Sequence, residues 1–157
     1  SLETIDEDIS FEIIGQTPNL KYLKELNKLI ANSKHAKSIT MTPFIKAEKL
    51  INKYSSANLF ILPSKSEGLG RVIIEAQSTA CPVLVSSNTG MADLIIENET
   101  GYIFENGNKN DLAMKIKFVI NNFDIAAQVG INAKNFVKEN YSIQNFEFGY
   151  KKLFDLV

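Results

Sequence analysis

Two glutamates and two glycines crowd the stretch "PSKSEGLGRVIIEAQ", residues 63–77: Glu67, Gly68, Gly70 and Glu75. Glycines at the entry to a helix leave the first-turn amides uncovered. Those amides and the positive end of the helix macrodipole favour an anion such as a diphosphate. The two carboxylates are eight residues apart, about 12 Å along an ideal helix, so they are not a close acid pair. A carboxylate repels a phosphate, and a pair flanking the amides makes most sense as acceptors for neutral hydroxyls, a sugar on one side and a ribose on the other. The plainer alternative makes Glu67 a first-turn residue complementing the dipole and Glu75 a solvated helix residue. For an isolated pair that is the commoner case, so the surroundings must decide. Neither common phosphate loop is present. The dinucleotide turn needs G-x-G-x-x-G, and the Walker loop needs G-K-[ST] where this chain has Gly70-Arg71-Val72. An NAD(P)-dependent epimerase or dehydrogenase therefore lacks its fingerprint.

The elements around this stretch must deliver it to the right place. Short apolar runs alternate with helical patterns, which predicts an α/β fold. "FEIIG" reads as a strand ending at Gly15, and Pro18 opens a helix with Leu20, Leu23, Leu26 and Ile30 near helical spacing. "SITMTPF" is a second strand, followed by a short helix carrying Ala47, Leu50, Ile51 and Tyr54. "NLFILP" and "CPVLVSS" are continuous apolar runs, as expected of central parallel strands, with the glutamate-bearing helix between them. "GYIFE" is a last strand. Two helices follow, patterned by Leu112, Ile116, Val119, Ile120 and by Ile125, Val129, Ala133, Phe136. A final helix after Ser142, its cap, carries Phe146, Tyr150, Leu153, Phe154 and Val157. In a parallel α/β sheet, ligands bind outside the carboxyl ends of the strands, and "NLFILP" brings the chain to that edge just before Glu67.

Composition narrows the function classes. The 157 residues are one domain's worth of chain, with no linker or repeat, and are expected to form a single domain, 1–157. A net charge of -1 gives no reason to expect a nucleic-acid partner. One cysteine, Cys81, and one histidine, His35, supply neither a disulfide nor a zinc spacing, so no metal is expected and a reducing setting fits. Cys81 before Pro82 reads as a small buried residue at a strand start, and His35 in "NSKHAKS" as a surface loop position. No apolar run approaches the ~20 residues of a membrane span.

The string "PSKSEGLGRVIIEAQSTACPVLVSSNTGMADLI…ENETGYIF…NKNDLA" resembles the C-terminal, donor-binding domain of the retaining GT-B glycosyltransferases of the large "group 1" family. Glu67 and Glu75 match its Glu-x7-Glu motif. Pro63, Ser64, Gly68, Gly70 and Ala76 match the run around that motif, Pro82-Val83 its Pro-Val, and Thr100-Gly101 its Thr-Gly. The resemblance covers most of the chain. It implies a Rossmann-like parallel sheet with helices on both faces, half of a GT-B fold. It also implies that Glu67 holds hydroxyls of the transferred sugar and serves as the catalytic-site carboxylate, that Leu69, Gly70 and Arg71 offer backbone amides to sugar and diphosphate, and that Glu75 holds the ribose. Weaker matches place Gly15 in a glycine-rich turn after a strand, and Phe44 and Ile45 at the strand end that frames the nucleotide base.

Two departures stand out: Ala80 replaces the usual glycine two residues before Pro-Val, and Gly90-Met91-Ala92-Asp93 replaces the usual G-x-x-E. The family's first strand and helix, with an Arg and a Lys that clamp the diphosphate, and its acceptor domain have no counterpart here. The chain by itself is therefore expected to be inactive, and its open sheet side to allow a dimer. The implied function is the donor-binding part of an enzyme moving a sugar from a nucleoside-diphosphate sugar to a sugar or lipid-linked acceptor in cell-surface polysaccharide or glycoconjugate synthesis. The setting is cytoplasmic, with peripheral contact at the inner face of the membrane open to the longer protein. A non-catalytic nucleotide-sugar binding module is the alternative.

Overall fold

The computed structural model describes residues 2–6, 8–17, 19–65, 68, 70–90, 92–142 and 145. Glu67, Leu69 and the expected terminal helix from Phe146 onward lie outside them. The chain gathers into two units, residues 1–50 and 51–157.

In the first unit, β1 (Phe11–Ile14) and β2 (Ile39–Thr42) are parallel neighbours, with Phe11 opposite Ile39 and Ile14 opposite Thr42. Parallel partners need a crossover, and α1 (Leu20–Ala31) supplies it. The side chain of Asn19 caps α1 by accepting from the Tyr22 amide at 3.0 Å. The leucine spacing does make a helix, but none of its residues is buried and Leu20 is 70 % exposed. The core here is instead anchored by Ile5, which is fully buried. His35 differs from the surface residue expected: it is half-buried, with Nε2 2.8 Å from the Ile5 carbonyl oxygen. Ser33 and Lys34 bond Glu3 and Asp6, so the segment after α1 holds the N-terminal segment by three side-chain contacts. A lone histidine in a polar run gave no sign of this partner 30 residues away.

The helix α2 (Ala47–Ser56) leads into the second unit, whose parallel sheet has the order β3 (Phe60–Leu62), β4 (Val83–Ser86), β5 (Tyr102–Phe104). Helix α3 (Arg71–Ser78) joins β3 to β4, and α4 (Lys109–Asn121) and α5 (Phe123–Asn140) follow β5. Every residue of β4 is buried, as its unbroken apolar run requires of a middle strand. β3 is half-buried, with one neighbour in this sheet, and is less central than its composition suggested. Tyr54 of α2 covers it, edge-on to Phe60 with ring centroids 5.2 Å apart.

The inward face of α5 is Ala126, Val129, Gly130, Ala133 and Val137. Ile125, placed on that face by spacing, is 54 % exposed. Val129 and Ala133 face inward as their spacing has them, while Ala126 and Val137 take the places expected of Ile125 and Phe136 where α5 packs against α3. Among the described residues no helix is long and apolar enough to cross a membrane.

Candidate functional site

The carboxyl ends of β3 and β4 lie side by side, since Leu62 is the register partner of Val85. The chain leaves β3 through Pro63 and Ser64, passes the glycine-bearing turn and enters α3 at Arg71. Gly70 is the N-cap residue, with φ +42° and ψ +38° and no side-chain cap bond. An L side chain there would cost roughly 1–2 kcal/mol, so glycine at this buried position has a backbone reason. Its carbonyl takes the Ile73 amide at 2.8 Å, tightening the first turn. The amides ahead of Ile73 belong to the set a helix cannot satisfy internally, and amides so placed can meet an anion. Gly68 is exposed, and a Cβ built on it would meet nothing within 4 Å.

Arg71 is exposed at the first helical position, and Glu75 is exposed one turn further along α3. The Glu75 carboxylate nevertheless acts on its neighbourhood: burial first, and then its charge, push the phenol of Tyr54 up to about 12. Gly70, Arg71 and Glu75 are thus brought together on one turn and helix. Gly15 follows β1 and donates its amide to the Thr42 carbonyl at 3.0 Å, with φ +155°. Phe44, 69 % exposed, and half-buried Ile45 follow β2. These three occupy the carboxyl ends of their own pair of strands, in the first unit.

What fixes α3 was only partly visible in the sequence. At its C-terminal end, Ala80 donates to the Gln77 carbonyl at 2.9 Å and Cys81 to the Ala76 carbonyl at 3.2 Å, the two bonds of a Schellman motif. Ala80 sits at the left-handed position of that motif, φ +64°, which is why a glycine is usual there. Gly130 of α5 lies flat against this turn: a Cβ on it would stand 2.2 Å from the Ala80 carbonyl oxygen.

Buried Gln77 reaches the other way, donating from Nε2 to the Thr100 carbonyl at 2.9 Å. Thr100 in turn accepts from the Ile96 amide through its hydroxyl at 2.9 Å. A Cβ on Gly101 would stand 2.7 Å from the Val83 Cγ2 methyl, so the Thr-Gly pair closes a turn packed onto β4. Cys81 is buried, as expected, and burial pushes its thiol up to about 11.

The loop after β4 is the part of this edge the sequence described least. Thr89 donates its amide to the Ser86 carbonyl at 3.0 Å and accepts the Ala92 amide at 2.8 Å. Its side chain is 3 % exposed, and its hydroxyl has no hydrogen-bond partner among the described residues. Ser86, fully buried, donates to Asn106 Oδ1 at 3.3 Å.

A family profile described as "Glycosyl transferases group 1" matches residues 1–136. The chain is 36 % identical over 94 residues to the capsular polysaccharide biosynthesis glycosyltransferase CapM of Staphylococcus aureus, covering 60 % of this chain and 25 % of that protein. It is 28 % identical over 152 residues to the uncharacterized glycosyltransferase MJ1178 of Methanocaldococcus jannaschii, covering 96 % of this chain and 41 % of that one. Among solved structures, Anabaena Alr3699/HepE in complex with UDP and glucose superposes with a TM-score of 0.89 at 19 % identity, covering 99 % of this chain and 43 % of its own. The sucrose-phosphate synthase of Thermosynechococcus elongatus gives 0.85 at 24 %, with 99 % and 41 % covered. At those identities the likeness shows the fold alone. The α/β fold with parallel sheets flanked by helices matches theirs, and the chain spans less than half the length of each of these four proteins.

Proposed function

Because the chain belongs to the group 1 glycosyl transferases, we propose that it is the donor-binding part of a retaining enzyme that moves a sugar from a nucleoside-diphosphate sugar to an acceptor. One observation carries this reading: a glycine-capped helix N-terminus at the carboxyl edge of a parallel sheet, with Glu75 exposed one turn beyond it. The amides at Leu69, Gly70 and Arg71 would meet the diphosphate, Glu75 the ribose hydroxyls and Glu67 the hydroxyls of the transferred sugar. Gly15, Phe44 and Ile45 would frame the nucleoside. HepE, which shares the fold, is described with UDP and with UDP-glucose, and CapM is named for capsular polysaccharide biosynthesis. These names favour a nucleotide-sugar donor and a role in cell-surface polysaccharide or glycoconjugate assembly. The reading calls for no cofactor beyond the donor. It leaves acceptor binding to a partner domain, and it leaves the 157-residue chain by itself inactive.

Calorimetry on the full-length protein with uridine, guanosine and adenosine diphosphates and their sugars tests the assignment. Glu75→Ala should weaken nucleoside diphosphate and nucleotide sugar alike, about tenfold to a hundredfold, because the ribose is common to both. Glu67→Ala should weaken only the nucleotide sugar. Nucleoside diphosphate binding untouched by Glu75→Ala would refute the ribose role. Equal losses for both ligands in Glu67→Ala would refute the sugar role.

A further inference from the structure

Buried hydroxyls are nearly always paired, because one left without a partner forfeits the hydrogen bond it had in water. Thr89 departs from that rule in an informative place. Its backbone groups are both used, holding the loop to Ser86 and Ala92. Its hydroxyl is buried without a partner among the described residues. The loop springs from the carboxyl end of β4, which is flush with the end of β3, the strand that precedes α3 in the chain. Ser86, on the same loop's root, differs in having its hydroxyl settled by Asn106. Among the described residues Tyr102 also has a buried hydroxyl without a partner, but it opens β5 opposite Leu84, whereas Thr89 lies on the loop that follows the carboxyl end of β4.

We propose that Thr89 is a further donor-positioning residue, its hydroxyl donating to an oxygen of the diphosphate-sugar part of the donor when that ligand occupies the edge. The proposal rests on the function proposed above and adds to it a side chain outside the Glu67 to Glu75 stretch. An unpaired buried hydroxyl destabilises the free protein, and it is tolerated where a ligand supplies the missing partner. Threonine also fits mechanically: its branched Cβ restricts χ1, so the hydroxyl is held in place before the ligand arrives.

The experiment compares Thr89→Val, which keeps the shape and removes the hydroxyl, with Thr89→Ser, which keeps the hydroxyl. Both are made in the full-length protein. Titrations use UDP and UDP-glucose, with GDP and GDP-mannose as the second pair if the uridine pair does not bind. Thr89→Val should bind about tenfold more weakly while its melting temperature without ligand stays level or rises, and Thr89→Ser should bind nearly as the parent does. A loss shared by the nucleoside diphosphate and its sugar places the bond on a phosphate oxygen. A loss confined to the nucleotide sugar places it on a sugar hydroxyl.

Parent-like binding by Thr89→Val overturns the proposal, as does a clear fall in its ligand-free melting temperature, which would mean the hydroxyl serves the fold. If the parent protein itself binds neither pair, nor ADP and ADP-glucose, the proposed function fails, and the Thr89 assignment with it. That outcome is recognised by the parent failing rather than the variant.

Discussion

Replacing Gly130 by alanine tests how α3 is held. In an exposed helix, glycine to alanine gains about 1 kcal/mol from propensity. Here the added Cβ would stand 2.2 Å from the Ala80 carbonyl oxygen, 3.0 Å from its carbon and 3.2 Å from Pro82 Cδ, while real Cβ atoms essentially never come under 3.0 Å. Neither partner can yield easily: Ala80 is fixed by the Schellman bonds, and Pro82 begins the path into the fully buried β4. So α5 must withdraw by roughly 1 Å, loosening Val129 and Ala133 as it does so, and overpacking of this kind costs about 1–3 kcal/mol or somewhat more. A 2.2 Å approach to backbone falls at the upper end of that range, and the propensity gain offsets about 1 kcal/mol of it, leaving a net loss of about 1–2 kcal/mol. For a domain of this size that lowers the melting temperature by roughly 2–8 °C. Thermal unfolding of the full-length protein, followed by far-ultraviolet circular dichroism, measures it. A Gly130→Ala protein as stable as the parent, or more so, would show the close approach to be slack and would remove the reason given for α3's fixed position.

The reverse change is expected at Ala80. Its left-handed φ costs an L residue roughly 1–2 kcal/mol, against which glycine loses about 0.5–1 kcal/mol in chain entropy. Ala80→Gly should therefore raise the melting temperature by about 1–3 °C, and a lower one would contradict the Schellman assignment. Alkaline pH should unfold the protein earlier than ordinary side chains would. Cys81 and Tyr54 titrate at about 11 and about 12 in the fold against 9.0 and 10.0 ordinarily, so their contribution is intact below pH 9 and is lost as pH climbs toward 12. Melting curves from pH 8 to 11 should slope less in a Tyr54→Phe, Cys81→Ala variant; equal slopes would count against burial as the cause.

Much of this was legible in the sequence, for identifiable reasons. The five strands among the described residues fall where the short strand-like runs bounded by Gly, Pro and Ser place them, and the continuous apolar runs of β3 and β4 leave few alternatives to a parallel strand. Gly70's place at the head of α3 followed from its spacing after "NLFILP". Less legible were features that depend on distant partners. Gln77 reads as an ordinary polar helix residue until Thr100 is brought beside it, and Gly130 reads as a weak point in a helix until the Ala80 carbonyl is placed against it. Ala80 stands where the resemblance has glycine, and only its left-handed φ of +64° gives the physical reason for that glycine. Thr89 carried no signal, since an orphaned hydroxyl is a property of its surroundings alone.

The polar and close-packed anchors of α3 lie toward one end. Gln77, the Schellman turn and Gly130 all hold its C-terminal half, while nearer its start Ile73 is buried and Arg71 and Glu75 are exposed. The helix resembles a cantilever held most firmly at the tail. A donor arriving at the head would press against a fixed beam, so accommodation falls to the pivot at Gly70, whose left-handed backbone already marks the joint. Amide hydrogen exchange should show that division as slow exchange at Gln77 and Ser78 with or without nucleotide, and as ligand-dependent protection at Arg71 and Val72.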